Sequence, residues 1–132
     1  MTRQPTAPTG RRTALAILAL ASTLAVPMAQ AQSWPDKPIR MIVPLPPGGP
    51  SDIVLRGVAP RIQQALGQPL VIDNKPGANG NIGSAEAVRA AGDGHTWLWT
   101  TDTTVTVNPH VYEKMPFKAA DLQPVMRATT FS

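Results

Sequence analysis

Ser51 and Asp52 stand directly behind Pro46-Pro47-Gly48-Gly49-Pro50, a stiff run that ends one apolar stretch and opens another. A helix starting there presents unpaired N–H groups and the positive end of its dipole, which suits an anion. The prolines lower the loop's freedom before any ligand arrives, and Gly48-Gly49 lets backbone come close to a bound group. Pro47, Gly48, Gly49, Pro50, Ser51 and Asp52 form the first candidate binding segment. The plainer alternative is a strand-to-helix turn in which Ser51 or Asp52 only caps the helix.

A second glycine-rich run, Pro76 to Gly83, raises the same choice, with Asn79, Gly80 and Asn81 as candidate donors. Its glycines at 77, 80 and 83 miss the dinucleotide fingerprint because Ala78 breaks G-x-G-x-x-G, and there is no P-loop, so no cofactor is expected. Catalytic chemistry has little to stand on. Ser51 lies outside a G-x-S-x-G elbow. His95 reads as a solvated turn residue, and His95 and His110 lack metal-ligand spacing. Trp97 and Trp99 read as core or lobe-interface packing.

The elements that must carry these residues follow from periodicity. Ile39–Val43, Leu70–Asp73 and Thr96–Thr100 are predicted strands; Ser51–Leu66 and Asn81–Ala91 are predicted helices. The β-α-β-α-β order implies an α/β fold on a parallel sheet with right-handed crossovers. Ligands bind such sheets at the carboxyl ends of the strands, where Pro44–Asp52, Asn74–Gly83 and Thr100–Asn108 fall. Pro60 inside the first helix should kink it at about 3 kcal/mol, because the carbonyl of Arg56 loses its donor. Beyond Thr100 the pattern loosens, and Leu122–Ala128 is a candidate further strand.

Residues 1–31 read as a secretory signal: Arg3, Arg11 and Arg12, then an apolar stretch from Ala14 to Val26, then Ala29-Gln30-Ala31. The apolar stretch is shorter than the roughly 20 residues that span a bilayer. Removing the signal leaves nine basic against eight acidic residues, so no basic patch points to nucleic acid. The chain has no cysteine, which excludes disulfides and thiolate chemistry.

Trp34-Pro-Asp-Lys-Pro-Ile-Arg followed by Val43-Pro-Leu-Pro-Pro-Gly-Gly-Pro-Ser-Asp resembles the opening of the substrate-binding receptors of tripartite tricarboxylate transporters, the Bug-type periplasmic proteins. The run from Leu66 to Gly83, Asp93-Gly-His-Thr and Asn108-Pro-His-Val-Tyr match further landmarks in order. The resemblance implies a two-lobed Venus-flytrap fold of the periplasmic-binding-protein type, without catalytic activity. It implies capture of a small carboxylate, amino acid or related metabolite and delivery to a membrane permease. It makes Pro46–Asp52, Gly77–Gly83 and the stretch from Thr100 through Thr101 and Asp102 to Thr104 the cleft segments. It also divides the chain into a signal (1–31), the N-terminal part of a first lobe (32–120) and the start of a second (121–132), with the rest of the receptor expected beyond Ser132. Asp102 departs from the neutral residue expected there; it would bias the cleft against polycarboxylates, or cap the following turn and face water. Two rivals are an exported α/β hydrolase using Ser51 with His95 or His110, and a sensor partner of a signalling kinase.

Overall fold

The computed structural model describes residues 33–129. The signal assigned to residues 1–31 lies outside the described residues. Strand β1 (Ile39–Val43) is the middle of a three-stranded parallel sheet ordered β2-β1-β3, with β2 at Leu70–Asn74 and β3 at Thr96–Leu98. Ile39 pairs with Leu70 and Met41 with Ile72 on one side; Met41 pairs with Trp97 on the other. The central strand is buried on both faces, which is why it reads as an unbroken apolar run.

Helix α1 (Pro50–Leu66) covers one face through Leu55, which packs with Met41 and Val43 against Leu45, Leu70, Ile72, Trp97 and Trp99. Helix α2 (Asn81–Arg89) covers the other, where Glu86 and Asp73 both pair with Arg40 of β1. Trp97 and Trp99 therefore serve the core, with Leu98 on the opposite face as strand alternation requires. Helix α1 runs through Pro60; Arg56 and Pro60 are both exposed, so water can take the carbonyl that the proline leaves without a donor.

Four expectations give way. The stretch after Thr100 is not loose: it forms α3 (Thr103–Thr106) and α4 (Asn108–Val111). No strand forms over residues 122–128; a 3₁₀ turn at Ala119–Asp121 is followed by chain without regular structure. His95 is not solvated but 8 % exposed, beneath Trp34 (ring centroids 5.8 Å apart) and flanked by Asp36 and Asp93. The half-exposed Trp34 ring covers His95 just before β3 and shields it from water. Strand β3 is also two residues shorter than its apolar run, although Trp99 N–H still donates to Ile42 O at 2.9 Å.

Candidate functional site

The three strand-end segments meet around Pro44. A Cβ on Gly80 would lie 3.6 Å from Pro44 Cβ and 3.0 Å from Thr104 Oγ1. One on Gly83 would lie 2.8 Å from Pro44 Cβ and 2.9 Å from Lys75 O. Glycine at 83 is thus what lets α2 begin directly over the end of β1.

The first segment is held from inside by Asp52, which is 2 % exposed. Its Oδ2 accepts from Gly48 N–H (2.9 Å) and Arg56 Nε (2.7 Å), and its Oδ1 from Asn74 Nδ2 (3.0 Å). The Arg56 guanidinium first, then the Gly48 amide and the Asn74 side chain, hold this carboxyl down at about 2. Asp52 is therefore a strut between loop, helix and β2, whereas the expected side-chain cap is absent: Gly49 occupies the N-cap and Pro50 the first helical position. Gly48 supplies the left-handed φ of 76° that turns its N–H inward, and Gly49 N–H reaches Pro46 O at 3.4 Å. These two glycine amides are spent on the loop itself. The amides of Ser51 and Asp52, in the first turn, find no acceptor outside the helix among the described residues. Pro47 on the loop and Pro50 at the helix start are both exposed.

Ser51 meets the residue just before the third segment. The Trp99 indole Nε1–H donates to Ser51 Oγ at 2.9 Å and to Ser51 O at 3.2 Å. An indole is a donor only, so Trp99 takes no proton from Ser51 and its hydrogen bond leaves that proton on the far side of Oγ. His95, the hydrolase rival's first suggested base, precedes β3 and so sits at the opposite end of the sheet from Ser51.

The second segment runs through four successive positive φ values: Gly77 at 133°, Ala78 at 46°, Asn79 at 53° and Gly80 at 90°. Asn108, fully buried at the start of α4, holds it. Asn108 Nδ2 donates to Asn79 O (2.9 Å) and Asn81 Oδ1 (2.8 Å), and its Oδ1 accepts from Asn79 Nδ2 (2.8 Å). The side chains of Asn79 and Asn81 are thereby engaged within the protein, and the amides of Ile82 and Gly83 find no acceptor outside the helix among the described residues.

In the third segment Thr100 Oγ1 and Thr104 Oγ1 share a hydrogen bond at 2.8 Å, and Thr101 O accepts from Thr104 N–H at 3.3 Å. Asp102 is exposed and its Oδ1 accepts from Thr103 N–H at 2.9 Å, the capping arrangement. An open, mostly apolar concavity of about 530 Å³ lies between α2 and residues 112–116, walled by Ala78, Asn81, Ile82, Ala85, Tyr112 and Met115, so it borders the second segment but neither of the other two.

Sequence reasoning missed the supporting residues Arg56, Asn74, Trp99 and Asn108. Only the first carried a local signal, the i,i+4 spacing of Asp52 and Arg56.

A parallel sheet covered on both faces, with helix starts gathered at its strand ends, is the architecture of a periplasmic binding protein. Among solved structures, one described as a periplasmic transporter is 46% identical with a TM-score of 0.63, over 66% of this chain and 29% of that one. MatC from Rhodopseudomonas palustris with bound malate is 30% identical with a TM-score of 0.62, over 65% of this chain and 29% of that one. The chain belongs to the tripartite tricarboxylate transporter family receptors, whose description matches residues 54–132. Protein BugT of Bordetella pertussis is 39% identical over 104 residues, which cover 77% of this chain and 32% of that protein. The chain spans about a third of the length of the curated relatives it matches.

Proposed function

We propose that the chain supplies one wall of a periplasmic receptor that binds a small carboxylate and delivers it to the permease of a tripartite transporter. The observation that carries this reading is the pair of helix starts at the strand ends, each with unpartnered first-turn amides and each held by buried side chains. Family membership and the malate bound to MatC support a carboxylate as ligand. The contact residues are drawn from Pro47–Asp52, Asn79–Asn81 and Thr100–Asp102, together with the amides of Ile82 and Gly83. Within this reading the Gly48 amide and the side chains of Asp52, Asn79 and Asn81 act by fixing backbone, because they are engaged within the protein. Residues 1–31 direct export, 32–120 build the first lobe and 121–132 lead toward the second.

A single wall leaves the ligand in water, where each hydrogen bond contributes about 1 kcal/mol net. Binding by the 132-residue chain is therefore expected only in the millimolar range. Titrating it with malate, adipate, citrate and aspartate while following backbone amide resonances should move Ser51, Asp52, Ile82 and Gly83 together. Saturable shifts elsewhere with these four unmoved would sink the reading. Fusion of residues 1–31 to a periplasm-dependent reporter tests export, and co-purification with permease subunits tests delivery.

A further inference from the structure

We infer that Trp99 is a positioning residue that turns the Ser51 hydroxyl into a committed hydrogen-bond donor toward a ligand carboxylate. This rests on the receptor reading above and names how one of its contacts is made specific. A serine hydroxyl has one proton and two acceptor lone pairs, and alone it rotates to suit either kind of partner. Here the rotor is not free. The Trp99 indole N–H, which can only donate, points at Oγ at 2.9 Å and also reaches the same residue's carbonyl at 3.2 Å. The hydroxyl must accept on that side, so its proton is directed away from the indole. Among the described residues no acceptor takes that proton.

The indole itself is anchored twice. Its backbone N–H donates to Ile42 O at 2.9 Å, and its ring packs against Met41, Val43 and Leu55. The N–H direction is therefore set by the core, not by solvent. The Ser51 proton then joins the free amides of Ser51 and Asp52 in the first turn of α1, three donors on two residues. An ionised carboxylate, which only accepts, can use all three. An amide or an ammonium at the same place brings donors that find one acceptor site of Ser51 already taken.

The test is a double-mutant cycle on the 132-residue chain, with malate and its uncharged diamide as probes and backbone amide shifts as readout. Trp99→Phe keeps the ring and removes the N–H; Ser51→Ala removes the hydroxyl and barely touches the core. Each alone should weaken malate binding about fivefold, the loss of one water-exposed hydrogen bond. Together they should weaken it no more than Ser51→Ala alone. The preference for malate over the diamide should shrink in both single variants. In the wild-type chain the Trp99 Nε1–H resonance should move on malate addition, because its acceptor oxygen changes when the hydroxyl donates. Unchanged malate affinity in Trp99→Phe, losses that add in the double variant, or an unmoved indole resonance would each overturn the inference while leaving the receptor reading intact. Failure of the wild-type chain to bind any carboxylate would overturn both.

Discussion

The loop before α1 is tied down by a buried carboxylate, the loop before α2 by a buried amide. Asp52 gathers three donors, from Gly48, Arg56 and Asn74, and its charge is answered by Arg56. Asn108 both donates and accepts, closes its bonds without charge, and adds no field beside the helix start. The difference follows from backbone geometry. The first loop needs positive φ only at Gly48, where glycine adopts it freely. The second needs it at four residues in a row, two of them with side chains, at about 1–2 kcal/mol for each non-glycine. A single anion collecting amides suffices for the first. The second requires a partner that grips the strained turn by its carbonyl and by the side chains on either side.

The largest effect is expected at Asn108. Asn108→Ala strips Asn81 Oδ1 of its donor in a buried site and releases the turn at Asn79, at about 3 kcal/mol in a denaturant titration. Amide exchange at residues 79–83 should accelerate more than at 48–52. A loss below about 1 kcal/mol would mean that the backbone holds this loop unaided, which would erase the contrast.

Gly83→Ala comes next, at about 2 kcal/mol, because the new methyl meets Pro44 Cβ and Lys75 O at 2.8 and 2.9 Å. It displaces α2 without touching Asp52, so loop-one amide shifts should stay within those of the parent. A neutral result would show that α2 can slide away from β1 at little cost.

Asp52→Asn sharpens the comparison through pH. The folded protein holds this carboxyl at about 2, below its ordinary 3.8, so the unfolded chain binds the proton more readily. The resulting stability is present above pH about 4 and lost as pH falls from there toward 2. Asp93, held near the same value by Lys37, contributes in the same direction. The difference between parent and Asp52→Asn isolates one of the two: melting temperatures of the pair should converge as the pH approaches 2. An Asn108 variant should instead run parallel to the parent through that range. Curves for Asp52→Asn that also ran parallel would remove the charge from the account of loop one.

The smallest effect is expected for Asp102→Asn, within a few tenths of a kcal/mol, since asparagine caps a helix about as well as aspartate. Relative affinities for citrate and aspartate should not change. A gain for citrate would place the Asp102 charge within the ligand's field and add a third, electrostatic element beside the two loops.

Much of the frame was legible beforehand because it is local. β1 runs from Ile39 to Val43 as its apolar run indicates, and α1, β2 and α2 begin or end within two residues of their expected bounds. The short helices at Thr103–Thr106 and Asn108–Val111 were not legible, since four residues are too few for a 3.6 period and threonine and valine favour extended chain. Nor was the burial of His95, which depends on Trp34 folding back over it from far earlier in the chain.

What the sequence by itself determined is the order of the elements and the position of the turns. Apolar periodicity sets strands and helices, while proline and glycine punctuate them; both act over a few residues, and both place candidate donors at Ser51, Asp52 and the start of α2. What only the tertiary structure decided is the part each polar group plays there. Asp52, a candidate ligand residue, is drawn inward by Asn74 and Arg56; Ser51 is paired with Trp99, 48 positions away; and Asn79 and Asn81 are claimed by Asn108. A side chain's free valences are counted only after its neighbours have taken theirs, and those neighbours come from strands and helices that the chain brings together through burial of an apolar core.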